Sequence, residues 1–165
     1  MNANWPDASA EQAGTAIAVQ RLGRLLQRTT QKSLRSVGLT FTEFELLCAL
    51  RVQAPPHRLT PSKLYDAMLI SSGGLTKVLK GLEARELVLR PMDIDDGRSR
   101  PVALTPSGRA LVETAIQQVQ TAEEPVVRSM SQHWRGPGSL SDALVSLADA
   151  AERAGDDPAD QESQS

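Results

Sequence analysis

The stretch that decides the fold is "LTPSKLYDAMLISSGGLTKVLKGLEARELV", residues 59–88. Thr60 is a good N-cap residue and Pro61 suits the first position of a helix, so a short helix is expected to begin here. The serines and glycines of "LISSGG" interrupt the helical periodicity, and "LTKVLKGLEARE" resumes it. The stretch therefore predicts a helix, a tight turn and a second helix at about residues 71–85.

The second of these helices has two different faces. Apolar residues recur at i, i+3, i+4 and i+7, which predicts a buried stripe of Leu75, Val78, Leu79 and Leu82. The opposite face is small, hydroxylic or basic and comprises Gly73, Thr76, Lys77, Lys80 and Gly81. Because its N-terminal residues are small, this face can approach another surface closely.

A β-hairpin is predicted directly after this pair of helices. "LVLRPM" and "RPVAL" are short apolar runs, joined by "DIDDGRS", in which Gly97 can adopt a positive φ. Pro91 and Pro101 suggest that both strands occupy edge positions. A helix, a turn, a helix and a hairpin make the order of a winged helix-turn-helix.

Further helices are predicted on both sides. A long amphipathic helix covers residues 8–36, and a capping box of Thr40 and Glu43 begins a helix that ends near Gln53. Beyond the hairpin, Thr105 and Pro106 begin a second long helix, in which a kink is expected at Pro125. A last helix, "LSDALVSLADAAE", precedes an acidic tail at 155–165 that is expected to be disordered.

Composition and charge narrow the functional classes. Hydrophobic residues make up 40% of the 165 residues and aromatic residues only 3%, so an aliphatic, helical core is expected. The net charge of −2 hides an asymmetry, because residues 113–165 contain three basic and ten acidic side chains. The middle of the chain is therefore mildly basic and is available to an anionic partner.

The sequence lacks features that would indicate a membrane protein, a secreted protein or a zinc-binding protein. No apolar run approaches the roughly 18 residues that span a bilayer, and no secretory signal precedes the first helix, so we expect a cytoplasmic protein. A single cysteine, Cys48, cannot form an internal disulfide, and with only two histidines the usual ligands of a zinc site are missing.

The most specific motif is "DIDDGRSRPVALTPSG", residues 93–108. Together with "GLTFTEFELLCAL" and the stretch 59–88, it resembles the MarR family of bacterial transcription regulators. That family typically has an Asp, one residue and an Arg at the wing, followed by a strand and "LTxxG"; Asp96, Arg98 and "LTPSG" take these places. This sequence departs from the family pattern at two positions. Glu86 occupies a position where a helix-ending Gly is usual, and Gly97 occupies one where a basic residue is common.

The resemblance implies a homodimer that binds a palindromic operator in double-stranded DNA, and it implies no cofactor. It divides the chain into an N-terminal dimerisation helix (8–36), a winged helix-turn-helix domain (37–105) and C-terminal dimerisation helices (106–154). The recognition helix enters the major groove and the wing enters the minor groove. The residues implied in DNA binding are Ser72, Gly73, Gly74, Thr76, Lys77, Lys80, Arg98 and Arg100, with Asp96 orienting the Arg98 guanidinium.

Each of these assignments has a plainer alternative. Lys77 and Lys80 also suit a solvated helix face, and Arg98 suits a surface arginine paired with an aspartate. The plainer interpretation is preferred for other residues: Ser71 as a helix cap, Cys48 as a core thiol rather than a redox sensor, and Trp5 and Trp134 as packing residues at a dimer interface.

Some MarR relatives respond to phenolic or other small aromatic compounds, which implies an effector pocket between the dimerisation helices and the winged domain. The candidates pair apolar walls with a cation: Arg24, Arg28, Phe44, Leu47, Cys48 and Arg51. The same residues suit ordinary packing and surface charge equally well.

Three classes of function are compared. The leading interpretation is a ligand-responsive, DNA-binding regulator that acts as a repressor. The alternative is a winged-helix module that binds a protein, such as an antagonist of another regulator. An enzyme is disfavoured, because paired catalytic carboxylates, a nucleophile elbow, a phosphate loop and a metal cluster are missing from the sequence.

Overall fold

A computed structural model of the protein describes residues 7–68, 72–91 and 101–155, without the side chains of 7–12, 72, 152, 154 and 155. The expectations for Trp5, Ser71, the wing residues Asp96, Arg98 and Arg100, and the acidic tail therefore lie outside the described residues. The elements are α1 (Asp7–Leu34), a 3-10 turn (Arg35–Val37), α2 (Phe41–Arg51), β1 (Arg58–Leu59), α3 (Pro61–Met68), α4 (Ser72–Ala84), β2 (Val88–Leu89), β3 (Val102–Leu104), α5 (Pro106–His133) and α6 (Leu140–Gly155).

The chain divides into two compact units, Met1–Glu123 and Glu124–Ser165. The first unit contains a leucine-rich core, whose completely buried members include Leu34, Leu46, Leu47, Leu50, Leu64 and Leu82. Burial of each such side chain contributes roughly 1.5–3 kcal/mol to folding. The aliphatic core expected from the low aromatic content is confirmed.

The start of α2 follows the predicted capping box. The Glu43 amide donates to Thr40 Oγ1 at 3.2 Å, and the Thr40 amide donates to Glu43 Oε2 at 2.8 Å. Two of the amides that a helix start leaves unpaired are thereby satisfied. Pro61 is the first residue of α3, also as predicted.

The sheet has three strands rather than the two that the sequence predicted. Its order is β1-β3-β2, and both pairings are antiparallel. β1 lies within "APPHRLT", residues 54–60, and was not predicted, because two residues are too few to show the period of a strand. The edge position expected from Pro101 was wrong: β3 is the central strand, and Pro101 precedes it, where its missing N–H costs no ladder hydrogen bond.

The end of α4 explains the departure at Glu86. The Leu87 amide donates to Leu82 O at 3.0 Å and the Glu86 amide donates to Glu83 O at 2.9 Å, which is the Schellman pattern. Glu86 has a φ of 55°, the left-handed conformation that glycine adopts most easily. The helix therefore ends sharply without the glycine.

Replacing Glu86 with glycine should stabilise the fold. A left-handed conformation costs an L-residue roughly 1–2 kcal/mol, and glycine avoids this cost in the folded state. Part of the gain is offset because a glycine makes the unfolded chain more flexible and so stabilises the unfolded state. We expect a net gain of about 0.5–1 kcal/mol in the free energy of unfolding, measured by urea denaturation. Ala84→Gly, two residues earlier at the last position of α4, is the matched control and should lose up to about 1 kcal/mol. Equal losses in both variants would contradict this account.

The start of α5 is joined to the residues that follow α4. Thr105 Oγ1 donates to Glu86 O at 2.7 Å, and it accepts a hydrogen bond from the Gly108 amide at 2.9 Å. The Thr105 amide donates to Leu87 O at 3.1 Å. Gly108 is buried against the same Leu87 carbonyl. The "LTPSG" motif is thus the point at which α5 is attached to the wing strands.

The last two helices follow the predicted order. α5 continues on both sides of Pro125, as expected, and the kink at that proline stays a prediction. In α6, Leu144, Val145 and Leu147 are exposed in the single chain. Within the described ranges no helix combines the length and apolar character needed to cross a membrane.

Candidate nucleic-acid interface

The two faces of α4 are arranged as the sequence predicted. Leu75, Leu79 and Leu82 are buried, and Val78 is half-buried against the same core. The helix is therefore fixed along one side by apolar packing, and its other side faces away from the core.

The outward face presents four exposed residues, namely Gly73, Thr76, Lys77 and Lys80, with Gly74 half-exposed beside them. Neither lysine forms an ion pair within the described part of the chain. A β-carbon on Gly73 would meet no described atom within 4 Å, so packing within the chain does not require a glycine there. Ser72 is the first residue of α4, and its side chain is not described.

A cleft of about 680 Å³ opens between this face and the start of α2. Its lining comprises Thr40, Thr42 and Glu43 from α2 and Gly74, Lys77, Val78 and Gly81 from α4. Glu43 of this lining also forms an ion pair with Arg85, in which Arg85 Nη1 lies 3.2 Å from Glu43 Oε1. The sequence predicted Glu43 as a cap but gave no sign of this pair, because its partners are 42 residues apart.

The base of the wing is held by β2 and β3, which pair with Val88 opposite Leu104. An ion pair of 2.5 Å between Arg90 and Glu83 connects the end of β2 to α4. The roles expected of Asp96, Arg98 and Arg100 stay predictions, because residues 92–100 are not among those described.

Three effector candidates lie on α2 as part of the core. Leu47 is fully buried, and Phe44 and Cys48 are half-buried against the core cluster. Burial, with a smaller effect from the Glu45 carboxylate, raises the pKa of the Cys48 thiol to about 11. The thiol is therefore protonated at neutral pH, which favours the core role over a reactive one.

The three arginine candidates have different surroundings. Arg24 and Arg28 are exposed on α1. Arg51 donates to Glu113 Oε1 at 2.9 Å, and Arg109 donates to the same oxygen at 2.9 Å. These hydrogen bonds lower the pKa of the Glu113 carboxyl, and the one from Arg109 has the larger effect. The charge of Arg51 is thus already paired with a carboxylate.

A second cleft of about 680 Å³ lies between α1 and α5. Seven of its eight lining residues have polar side chains, and the lining comprises Thr29, Lys32, Ser33, Ser36, Gln117, Gln118, Thr121 and Ala122. None of the six effector candidates lines this cleft or the one beside α4. The cleft between α1 and α5 was not predicted from the sequence, because polar lining residues produce no apolar periodicity. The described residues contain no group of three metal-ligating side chains.

Comparisons with known proteins agree with this architecture. A sequence model of the MarR family matches residues 37–99. The regulator PecS of Dickeya dadantii is 29% identical over 128 residues, which cover 77% of this chain and 76% of PecS. The transcriptional repressor Rv2887 of Mycobacterium tuberculosis is 30% identical over 122 residues, which cover 74% of this chain and 86% of Rv2887.

Solved structures share the fold. A mutant MarR from Escherichia coli, crystallised with operator DNA, superposes with a TM-score of 0.66 at 22% identity, covering 90% of this chain and 99% of that one. AbsC, a MarR family transcriptional regulator from Streptomyces coelicolor, gives a TM-score of 0.71 at 23% identity, covering 88% and 94%. From its sequence relatives and its winged helix-turn-helix fold, the chain belongs to the MarR family of transcriptional regulators.

Proposed function

We propose that the protein is a homodimeric repressor that binds a palindromic operator. In each protomer the recognition helix, which was predicted at about residues 71–85 and corresponds to α4, enters the major groove, and Arg98 of the wing enters the adjacent minor groove with its guanidinium oriented by Asp96. Two such helices in successive grooves require half-sites about 10 base pairs apart. A small-molecule effector releases the DNA.

The observation that carries this proposal is the outward face of α4. It combines two exposed lysines, which form no ion pair with a described residue, with small residues and a hydroxyl, on a helix whose other face is fixed in the core. Lysine favours phosphate oxygens and guanine edges, and the Thr76 side chain suits a base edge or a thymine methyl. The protein-binding alternative gives no reason for this combination.

Properties of the relatives support the finer parts of the proposal. MepR of Staphylococcus aureus was crystallised with DNA, NadR with 4-hydroxyphenylacetate, and the DNA binding of BpsR is regulated by 6-hydroxynicotinic acid. We infer an aromatic acid as the class of effector. The exposed apolar residues Leu144 and Leu147 of α6 support a second copy as the dimer partner.

Salt dependence of DNA binding tests the proposal. With about 6–10 phosphate contacts, the affinity for a duplex selected by this protein from random-sequence DNA should fall by about three to five decades between 50 and 200 mM salt. Binding would be followed by fluorescence anisotropy, and the protected bases by footprinting. An affinity that is independent of salt would overturn DNA recognition and favour a protein partner.

A further inference from the structure

The Glu43 carboxylate makes contacts in two directions. Its Oε2 accepts hydrogen bonds from the Thr40 amide at 2.8 Å and from Thr40 Oγ1 at 2.9 Å. Its Oε1 accepts from Arg85 Nη1 at 3.2 Å. The side chain is only 15% exposed, whereas that of Arg85 is 39% exposed. The largely buried Glu43 carboxylate thus joins the start of α2 to Arg85, the residue that follows α4.

The position of Glu43 is unfavourable for a protein that binds a polyanion. It lines the cleft that also contains Lys77, and a β-carbon on Gly81 of α4 would be 4.0 Å from its Oε1. A negative charge beside the DNA-binding face repels phosphate and weakens binding. Its presence there requires a compensating role.

The helix cap does not need this charge. A capping box accepts glutamine as well as glutamate at its third helical position, since either side chain can accept from the N-cap amide. The contact with Arg85 gains from the charge, because an ionised acceptor makes a guanidinium hydrogen bond roughly twice as strong as a neutral one. The charge also strengthens the hydrogen bonds of the cap at the start of α2, so variants of Arg85 are needed to separate the two effects.

We propose that Glu43 is a positioning residue that sets the orientation of α4 for DNA through its ion pair with Arg85. The apolar stripe of α4 fixes its depth in the core, but apolar packing is non-directional. A guanidinium–carboxylate contact is directional, and it acts on the C-terminal end of the recognition helix, where a cation is also favoured by the helix dipole. The inference rests on the DNA-binding function proposed above.

Glu43→Gln tests the inference, because it keeps the cap and removes the charge. On the selected duplex the dissociation constant should rise by about 5- to 25-fold, because the proposed dimer loses two partly exposed ion pairs and each is worth at most about fivefold. The ratio of the affinity for this duplex to the affinity for random-sequence DNA should decrease as well. The thermal midpoint should stay within about 4 °C of that of the unmodified protein.

Glu45→Gln is the matched control. It removes the same charge from the same helix, and Glu45 has no ion pair among the described side chains. Loss of a repulsive carboxylate should leave the affinity unchanged or slightly higher. A Glu43→Gln protein that binds as tightly as the unmodified one, or more tightly, would show that Glu43 is only a repulsive acid and would overturn the inference.

The Arg85→Gln variant and the double variant complete a thermodynamic cycle. If the pair acts as a unit, Arg85→Gln should cost little further affinity once Glu43 is glutamine. Fully additive losses would mean that each residue acts alone, and would also overturn the inference. Failure of the proposed function is distinguishable, because the unmodified protein would then lack salt-dependent DNA binding altogether.

Discussion

Replacing Gly108 with alanine should destabilise the protein by about 3 kcal/mol or more. A β-carbon at this position would lie 1.9 Å from Leu87 O, 2.8 Å from Leu87 C and 3.2 Å from Leu87 Cα. These are backbone atoms, so no side-chain rotation can relieve the overlap. Relief requires α5 to move away from β2, which would break the Thr105 hydrogen bonds to Glu86 and Leu87.

Thermal and urea denaturation followed by circular dichroism would measure this loss. A change of about 3 kcal/mol corresponds to a thermal midpoint lower by roughly 6–12 °C in a chain of this size. Gly23→Ala is the control, because a β-carbon there meets no described atom within 4 Å and alanine is the better helix former. A Gly108→Ala protein within about 1 kcal/mol of the unmodified one would disprove the close contact.

Removing both exposed lysines of α4 should nearly abolish specific DNA binding while leaving the fold intact. Neither Lys77 nor Lys80 forms an ion pair with a described residue, so replacement by alanine breaks no ion pair. In the proposed dimer the double variant loses four cationic contacts. The slope of log affinity against log salt should therefore fall by roughly 3–4 units, with an affinity loss of at least about 100-fold near physiological salt.

Lys32→Ala is the control for charge alone. Lys32 is an exposed lysine on α1, in the cleft between α1 and α5, and its replacement removes the same charge from another surface. It should leave the salt slope unchanged and change the affinity by no more than about twofold. Equal effects of Lys32 and of the α4 lysines would mean that α4 is not the contact surface, and the assignment of the recognition helix would fall.

The helices and their faces could be predicted because they depend on signals within one segment. The Thr40 and Glu43 capping box, the proline that begins α3 and the leucine stripe of α4 each involve residues at most seven positions apart. The left-handed Glu86 could be located only as a departure from the family pattern. Its conformation depends on hydrogen bonds that end α4, and glutamate carries no local signal for it.

Contacts between distant segments could not be predicted in the same way. The two residues of β1 become a strand only because β3 pairs with them, and Arg85 contacts Glu43 only because α4 brings the two side chains together. The requirement for glycine at position 108 comes from the Leu87 carbonyl, 21 positions earlier. The family motif identified that glycine, but its reason is a contact that no periodicity reveals.

The three-stranded sheet also bears on how the protein avoids aggregation. An unpaired strand edge is a template for another chain, and the hazard grows with the length of the edge. In the described part of the chain the longest strand, β3, is paired on both sides, and the two edge strands, β1 and β2, have only two residues each. Within the described residues the sheet therefore offers a neighbouring molecule almost no ladder to extend.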